Sequence, residues 1–244
     1  TWLSAEITGI PTSPKLVFPL SAVIFFKTSK STRDRCYFFF TLVTYYLVTR
    51  KCKFLKRKHR MISQILNFFA FQILWFGCVY GGGSLELTWM PWISLVPLIL
   101  DTLYKSSRVL DFKLATTAAL LGYGLETIWV KLAILKFGEL TLPPIWMGVL
   151  WFGFALTINH SMKFFRDLTI IGPLIVGLFG PLTYLAGQRL GAVTIENYYL
   201  LLLIVPCWIG LFQLLKMQSS WLDKTDLVHT AKNIQSKQDA NPSD

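Results

Sequence analysis

Charged side chains are scarce in this chain. They make up 15% of its 244 residues, against about 25% in a typical soluble domain, which needs them to cover its surface. That shortage argues against an ordinary water-soluble fold and points to a chain covered by lipid. Histidine is scarcer still. His59, His160 and His229 stand far apart and offer no cluster for a structural metal. Cys36, Cys52, Cys78 and Cys207 form no CxxC pair and no metal-like spacing. The run Gly81-Gly82-Gly83 lacks the following Lys-Ser/Thr of a phosphate loop. It reads as a flexible helix exit. These residue types call for no metal and no cofactor.

What the chain does have is apolar sequence, 53% of it, in blocks. A hydrocarbon core of about 30 Å takes about 20 mostly apolar residues in helical form, and a helix satisfies its own backbone groups where no water reaches. Six segments approach this requirement: 63–82, 88–104, 112–136, 143–162, 168–189 and 198–215. The expected fold is an all-α, polytopic transmembrane bundle of about six helices over residues 61–217. Residues 218–244 are polar and read as a cytoplasmic tail, disordered toward its end.

The net charge of +11 does not indicate a nucleic-acid binder, because no soluble basic fold accompanies it. Basic residues gather on every second loop: Lys105, Arg108 and Lys113, then Lys163 and Arg166, then Lys216, Lys224 and Lys232. The alternate loops carry Glu86, then Glu139, then Arg189 with Glu196. By the positive-inside rule the first set and the C-terminus are cytoplasmic. Lys136 is an exception that can snorkel to the interface. Trp89, Trp92, Trp146, Tyr198 and Tyr199 fall near the opposite ends of the spans, where amphipathic rings settle.

The first sixty residues hold two apolar stretches, 16–26 and 36–49, that are short for spanning. Lys56-Arg57-Lys58 can be encoded by purine-rich codons resembling a bacterial ribosome-binding site just ahead of Met61. The expectation is that the natural protein starts at Met61. If the upstream segment is part of the protein, residues 36–49 followed by the basic run 50–60 would add a seventh span.

Three stretches carry a family resemblance. The first is Asn67-Phe68-Phe69 with Phe71-Gln72 and Trp75-Phe76. The second is Trp146-Met147, Leu150-Trp151 and Phe154-Ala155-Leu156, closing on Asn159-His160-Ser161. The third is Gly180-Pro181-Leu182, Tyr184, Ala186-Gly187 and Arg189-Leu190-Gly191-Ala192. From Asn67 onward the sequence resembles a bacterial membrane-protein family, the domain of unknown function twenty-eight seventy-eight. The likeness runs from about Met61 to Met217, with Glu126 where the family pattern has an aspartate. It implies a small inner-membrane protein and no particular activity.

Ionisable groups within a span are costly and are functional candidates for that reason. Glu126, in the middle of the third segment, is suited to bind a proton, a cationic group or a neighbouring helix. Lys131 lies about 140° further round the helix, which is poor geometry for an ion pair with it. Asn159, His160 and Ser161 close the fourth segment, and Asp101 lies at similar depth, suggesting a carboxylate that orients His160. No Ser, Cys or metal ligand stands at a defined spacing to complete a catalytic set. Pro181, after Gly180, removes a hydrogen bond to the carbonyl of Gly177 and should kink the fifth segment. Interrupted helices of this kind line transporter sites. Tyr184 follows, and Arg189 has the guanidinium for a lipid headgroup or carboxylate. Gln72 is a candidate interhelical or substrate contact. The tetrapeptide Leu-Trp-Phe-Gly recurs at 74–77 and 150–153, a faint trace of two three-helix halves.

Two functional readings stand ahead of the rest. The first is binding or transport of a lipid or small amphiphile, using Glu126, Tyr184, Arg189, His160 and Gln72. The second is a membrane-embedded lipid-modifying enzyme with His160, Asp101 and Asn159 as acid–base groups. A third is an accessory subunit of another membrane protein, whose polar residues only hold helices together.

Overall fold

The computed structural model describes Lys58, residues 61–105 and residues 107–240. The predicted start at Met61 and the extra span at 36–49 depend on upstream residues that lie outside the described ones.

From Met61 on the chain is a helical bundle. Helix α1 covers Met61–Ser84, and its last turns, Gly77–Ser84, are a π-helix. There the Leu85 N–H donates to the Tyr80 carbonyl. The glycines of this stretch let the next helix come close. A Cβ on Gly77 would sit 2.2 Å from Ser94 Oγ, and one on Gly81 would sit 2.3 Å from Met90 Sδ. Helix α2, Met90–Leu103, has Pro91 in its first turn, where the missing N–H costs nothing.

Helix α3, Arg108–Lys131, buries Asp111, Leu114, Ala115, Ala118, Gly122, Glu126 and Trp129. Their spacing of three and four makes one face of a helix. Small residues on that face admit α4, Ile145–Ile158, and a Cβ on Gly122 would fall 2.2 Å from the Trp151 ring. Helix α4 is buried around most of its circumference, so it occupies the centre. A turn at residues 159–162 and the short α5, Lys163–Asp167, lead into α6, Ile171–Arg189. Helix α6 packs on α7, Ile204–Ala240, where Gly177 and Gly180 face Ile209 and Trp208.

Two ends can be distinguished. At one, which we call the clasp end, strand β1, Leu135–Lys136, pairs antiparallel with β2, Thr194–Ile195. The α3–α4 and α6–α7 connections are thereby tied together. Ser84 at the end of α1 donates to the Leu190 carbonyl at the same end. The other, the polar end, gathers the N-termini of α1 and α3 with the C-termini of α2 and α4.

Three helical stretches are long and apolar enough to cross a membrane: Met61–Ser84, Ile171–Arg189 and Leu200–Val228. Helices α2 and α4 are shorter apolar helices. Large apolar residues stand outward, among them Leu120, Ile145 and Leu202, each about 70% exposed. Soluble proteins seldom carry such surfaces. The fold is an all-α transmembrane bundle.

Two boundaries differ from the sequence reading. The third helix ends at Lys131 rather than at 136, because Ala133 takes a left-handed φ of 51° and the chain then enters β1. The apolar run Ile134-Leu135 that suggested more helix is instead buried in the clasp. The last helix runs past 215, through the polar segment, to Ala240. Residues 218–240 contain neither Gly nor Pro to stop the helix.

Candidate functional site

The α3 stripe delivers Glu126 to the interior, where the residue has no solvent exposure. At 1.5 Å per residue, Glu126 lies roughly 10 Å from the middle of α3, toward the clasp end. Three aromatic residues from three other helices surround it. Trp151 of α4 donates its indole N–H to Glu126 Oε1 at 3.1 Å. Tyr184 of α6 donates its hydroxyl to the same oxygen. Trp208 of α7 packs against both rings, 4.8 Å from Trp151 and 6.4 Å from Tyr184 between centroids. Glu126 Oε2 is buried and has no hydrogen-bond partner among the described residues.

This cluster forms one wall of a cavity of about 580 Å³. The volume falls within the range of small-molecule sites, about 300–1,000 Å³. Helix α1 contributes one flank, from Phe68 to Val79, and α6 the other, from Ile175 to Gly187, with α4 as the floor. Phe68, Phe76 and Phe179, about half exposed, stand at its margin. The cavity therefore opens between α1 and α6, on the outward, apolar side of the bundle. Its polar side chains are Gln72, Glu126, Thr183, Tyr184 and the indoles of Trp75, Trp146, Trp151 and Trp208, of which Trp208 Nε1 is also buried without a partner among the described residues; none of the described lining residues is Lys, Arg or His.

The polar end holds a separate network. Asp111, fully buried, accepts from Ser107 (2.7 Å), Asn159 (2.8 Å) and His160 Nε2 (2.9 Å). Asn159 Oδ1 in turn accepts from Arg166 and from Ser219 of α7. Next to it, Asn67 donates to Asp101 at 2.7 Å and accepts from the Ser161 hydroxyl at 2.8 Å. Lys105 also pairs with Asp101. The carboxylate on His160 is thus Asp111, and Asp101 is engaged by Asn67 and Lys105 instead. Both nearby serine hydroxyls donate to other groups, Ser107 to Asp111 and Ser161 to Asn67. Neither of these hydroxyls is therefore free to act as a nucleophile toward His160. Among the described residues no group of three or more His, Cys, Asp or Glu could hold a metal ion.

The structure brings Glu126, Tyr184 and Gln72 to one cavity and keeps Asp101, Asn159 and His160 in the polar-end network. Arg189 is exposed at the end of α6 and is not among the lining residues. Lys131 is exposed at the end of α3. Sequence reasoning missed Asp111, because the third segment was started one residue after it. The spacing of Asp111, Ala115, Ala118, Gly122 and Glu126 along one helical face was the available signal. Trp151 stands in the family-like stretch and in the repeated Leu-Trp-Phe-Gly, but neither marks it as a donor, and Trp208 reads as generic apolar sequence.

A buried carboxyl held by two aromatic donors beside an apolar cavity defines a membrane protein with an internal hydrogen-bonding site. Residues 64–214 match the family described as Protein of unknown function (DUF2878), more than half of the chain, and the chain belongs to that family. No curated protein and no solved structure matches it.

Proposed function

We propose that this is a multi-pass protein of a bacterial inner membrane that binds, and in doing so carries or presents, a lipid or small amphiphile in the cavity between α1 and α6. The observation behind this reading is the cavity itself. It is open to the side that lipid covers, it is apolar along its length, and it contains one buried carboxyl oxygen without a partner. A missing hydrogen bond of that kind costs about 1–3 kcal/mol. A ligand that completes the bond and fills the apolar space recovers that cost.

Orientation follows from charge. Lys105, Arg108, Lys113, Lys163, Arg166 and Lys216 sit at the polar end, whereas the clasp end mixes Lys136 and Arg189 with Glu86, Glu139 and Glu196. The polar end and the C-terminus are accordingly cytoplasmic. The enzyme reading is less well supported, because Asn159 and His160 are held by Asp111, and Asp101 by Asn67 and Lys105.

Native mass spectrometry of the protein released from lipid nanodiscs tests the reading. The wild type should retain adducts of lipid mass. Ile175→Trp, which fills part of the cavity and leaves Glu126 in place, should lose them. Equal adducts on a folded Ile175→Trp variant would refute the proposal.

A further inference from the structure

The chemistry of the cavity narrows its ligand, an inference that rests on the proposed lipid-binding role. We infer that the site takes an uncharged, single-chain lipid alcohol, with its hydroxyl on Glu126 and its chain along the groove between α1 and α6.

Charge is the first constraint. Among the described residues no cation lines the cavity, and its one carboxylic acid is Glu126. A phosphate or carboxylate headgroup would enter a low-dielectric space facing a carboxyl and no counter-ion, which is the costly way to bury a charge. Arg189, the nearest cation on α6 in sequence, is exposed and outside the lining. Fatty acids and phospholipid headgroups are thereby disfavoured.

The second constraint is the free oxygen. Glu126 Oε1 already accepts from Trp151 and Tyr184. If the carboxyl is ionised, Oε2 needs a donor. If it is neutral, Oε2 carries the proton and needs an acceptor. A hydroxyl is the small group that serves both states, since it donates and accepts. A ketone or ester accepts from the neutral acid or from the unpartnered Trp208 N–H but offers nothing to the carboxylate, and an ammonium serves only the carboxylate.

Size and direction supply the third. A volume of about 580 Å³ is that of a site for one small ligand, which favours a single chain. From Tyr184 the lining runs back along α6 to Ile175, a rise of ~13 Å. That is close to one leaflet, half of the ~30 Å core. Met162 and Phe165 line the far end. The head would thus lie in the clasp-side half and the tail point to the polar end.

The test uses full-length protein in nanodiscs and a hexadecanol analogue bearing a diazirine in its chain. Cross-links should map to lining residues of α1 and α6. Excess hexadecanol should suppress them, and equal palmitate or hexadecyl phosphate should not. Glu126→Ala should weaken labelling about tenfold, the loss of one good hydrogen bond. Glu126→Gln, which still accepts and donates, should stay within a few-fold of wild type. Ile175→Trp, with Glu126 intact, should lose labelling by the hexadecanol probe and retain labelling by an octanol analogue bearing the same diazirine, which guards against reading misfolding as lost recognition. Palmitate or the phosphate competing as well as the alcohol would overturn this inference while leaving the cavity as a lipid site. If none of the three compounds competes and the cross-links fall outside the lining, the inference fails together with the reading beneath it.

Discussion

Two glycines on α3, two residues apart, give the sharpest test of the packing that builds the site. Gly122 faces α4, and a Cβ there would lie 2.2 Å from Trp151 Cδ2 and 2.3 Å from its Cγ. Gly124 has nothing within 4 Å of the same added atom. Gly122→Ala must therefore push the Trp151 ring, and with it α4, away from α3. Overpacking of this sort costs about 1–3 kcal/mol. The displaced indole also gives up its bond to Glu126, worth about 1 kcal/mol. Replacing glycine in a helix returns about 1 kcal/mol. The net is a destabilisation of about 1–3 kcal/mol for Gly122→Ala. Gly124→Ala keeps only the helix gain and should be stabilised by up to about 1 kcal/mol. Equilibrium unfolding in mixed micelles, titrated with SDS and followed by tryptophan fluorescence, reads both. The wild-type midpoint should lie between the two variants. If Gly122→Ala is as stable as Gly124→Ala, the close contact of α3 with α4 is wrong, and so is the assembly of Glu126 with Trp151.

Other consequences are open to the same methods. Asp111→Ala strands the donors of Asn159, Ser107 and His160 in a buried site, and at about 1–3 kcal/mol for a stranded group it should lower the unfolding midpoint more than Asp101→Ala, whose site is partly exposed. Tyr184→Phe removes one of two donors to Glu126 Oε1 and keeps the ring, so a loss of about 1 kcal/mol is expected; a larger loss would mean that the hydroxyl holds more than this contact. Reporter fusions after Arg166 and after Ala240 should report the cytoplasm, and an insertion at Gly138 the opposite side. The reverse pattern would invert the orientation argued from the basic loops.

Much of the architecture was legible because bilayer physics leaves few alternatives. An uncharged run such as 63–82 has to satisfy its own backbone, and α1 does. Glu126 and Tyr184 were legible for the same reason, as polar groups where polarity is expensive. Their meeting was not, because it depends on how α3 and α6 are rotated, and rotation is set by packing at Gly122 and Gly180 against Trp151 and Trp208. Hydropathy carries no record of such contacts. It also misjudged Ile134-Leu135, which are apolar because they lie under the clasp and not because they cross lipid. Asp101 and His160 were matched by depth alone, whereas the fold gives each a different partner.

The short pairing of Leu135–Lys136 with Thr194–Ile195 acts as a caliper. It fastens the far ends of the two helices that carry Glu126 and Tyr184, so the gap between those side chains is set by the frame as much as by their own contact. One residue added within α6 between Tyr184 and Arg189 would turn the phenol by ~100° relative to the fastening, or else unfasten it. Either way the phenol leaves the carboxyl without any change to the residues that touch. Chain length in that last turn of α6 is thus part of the site, whereas the exposed pair Gly138-Glu139 is free to vary.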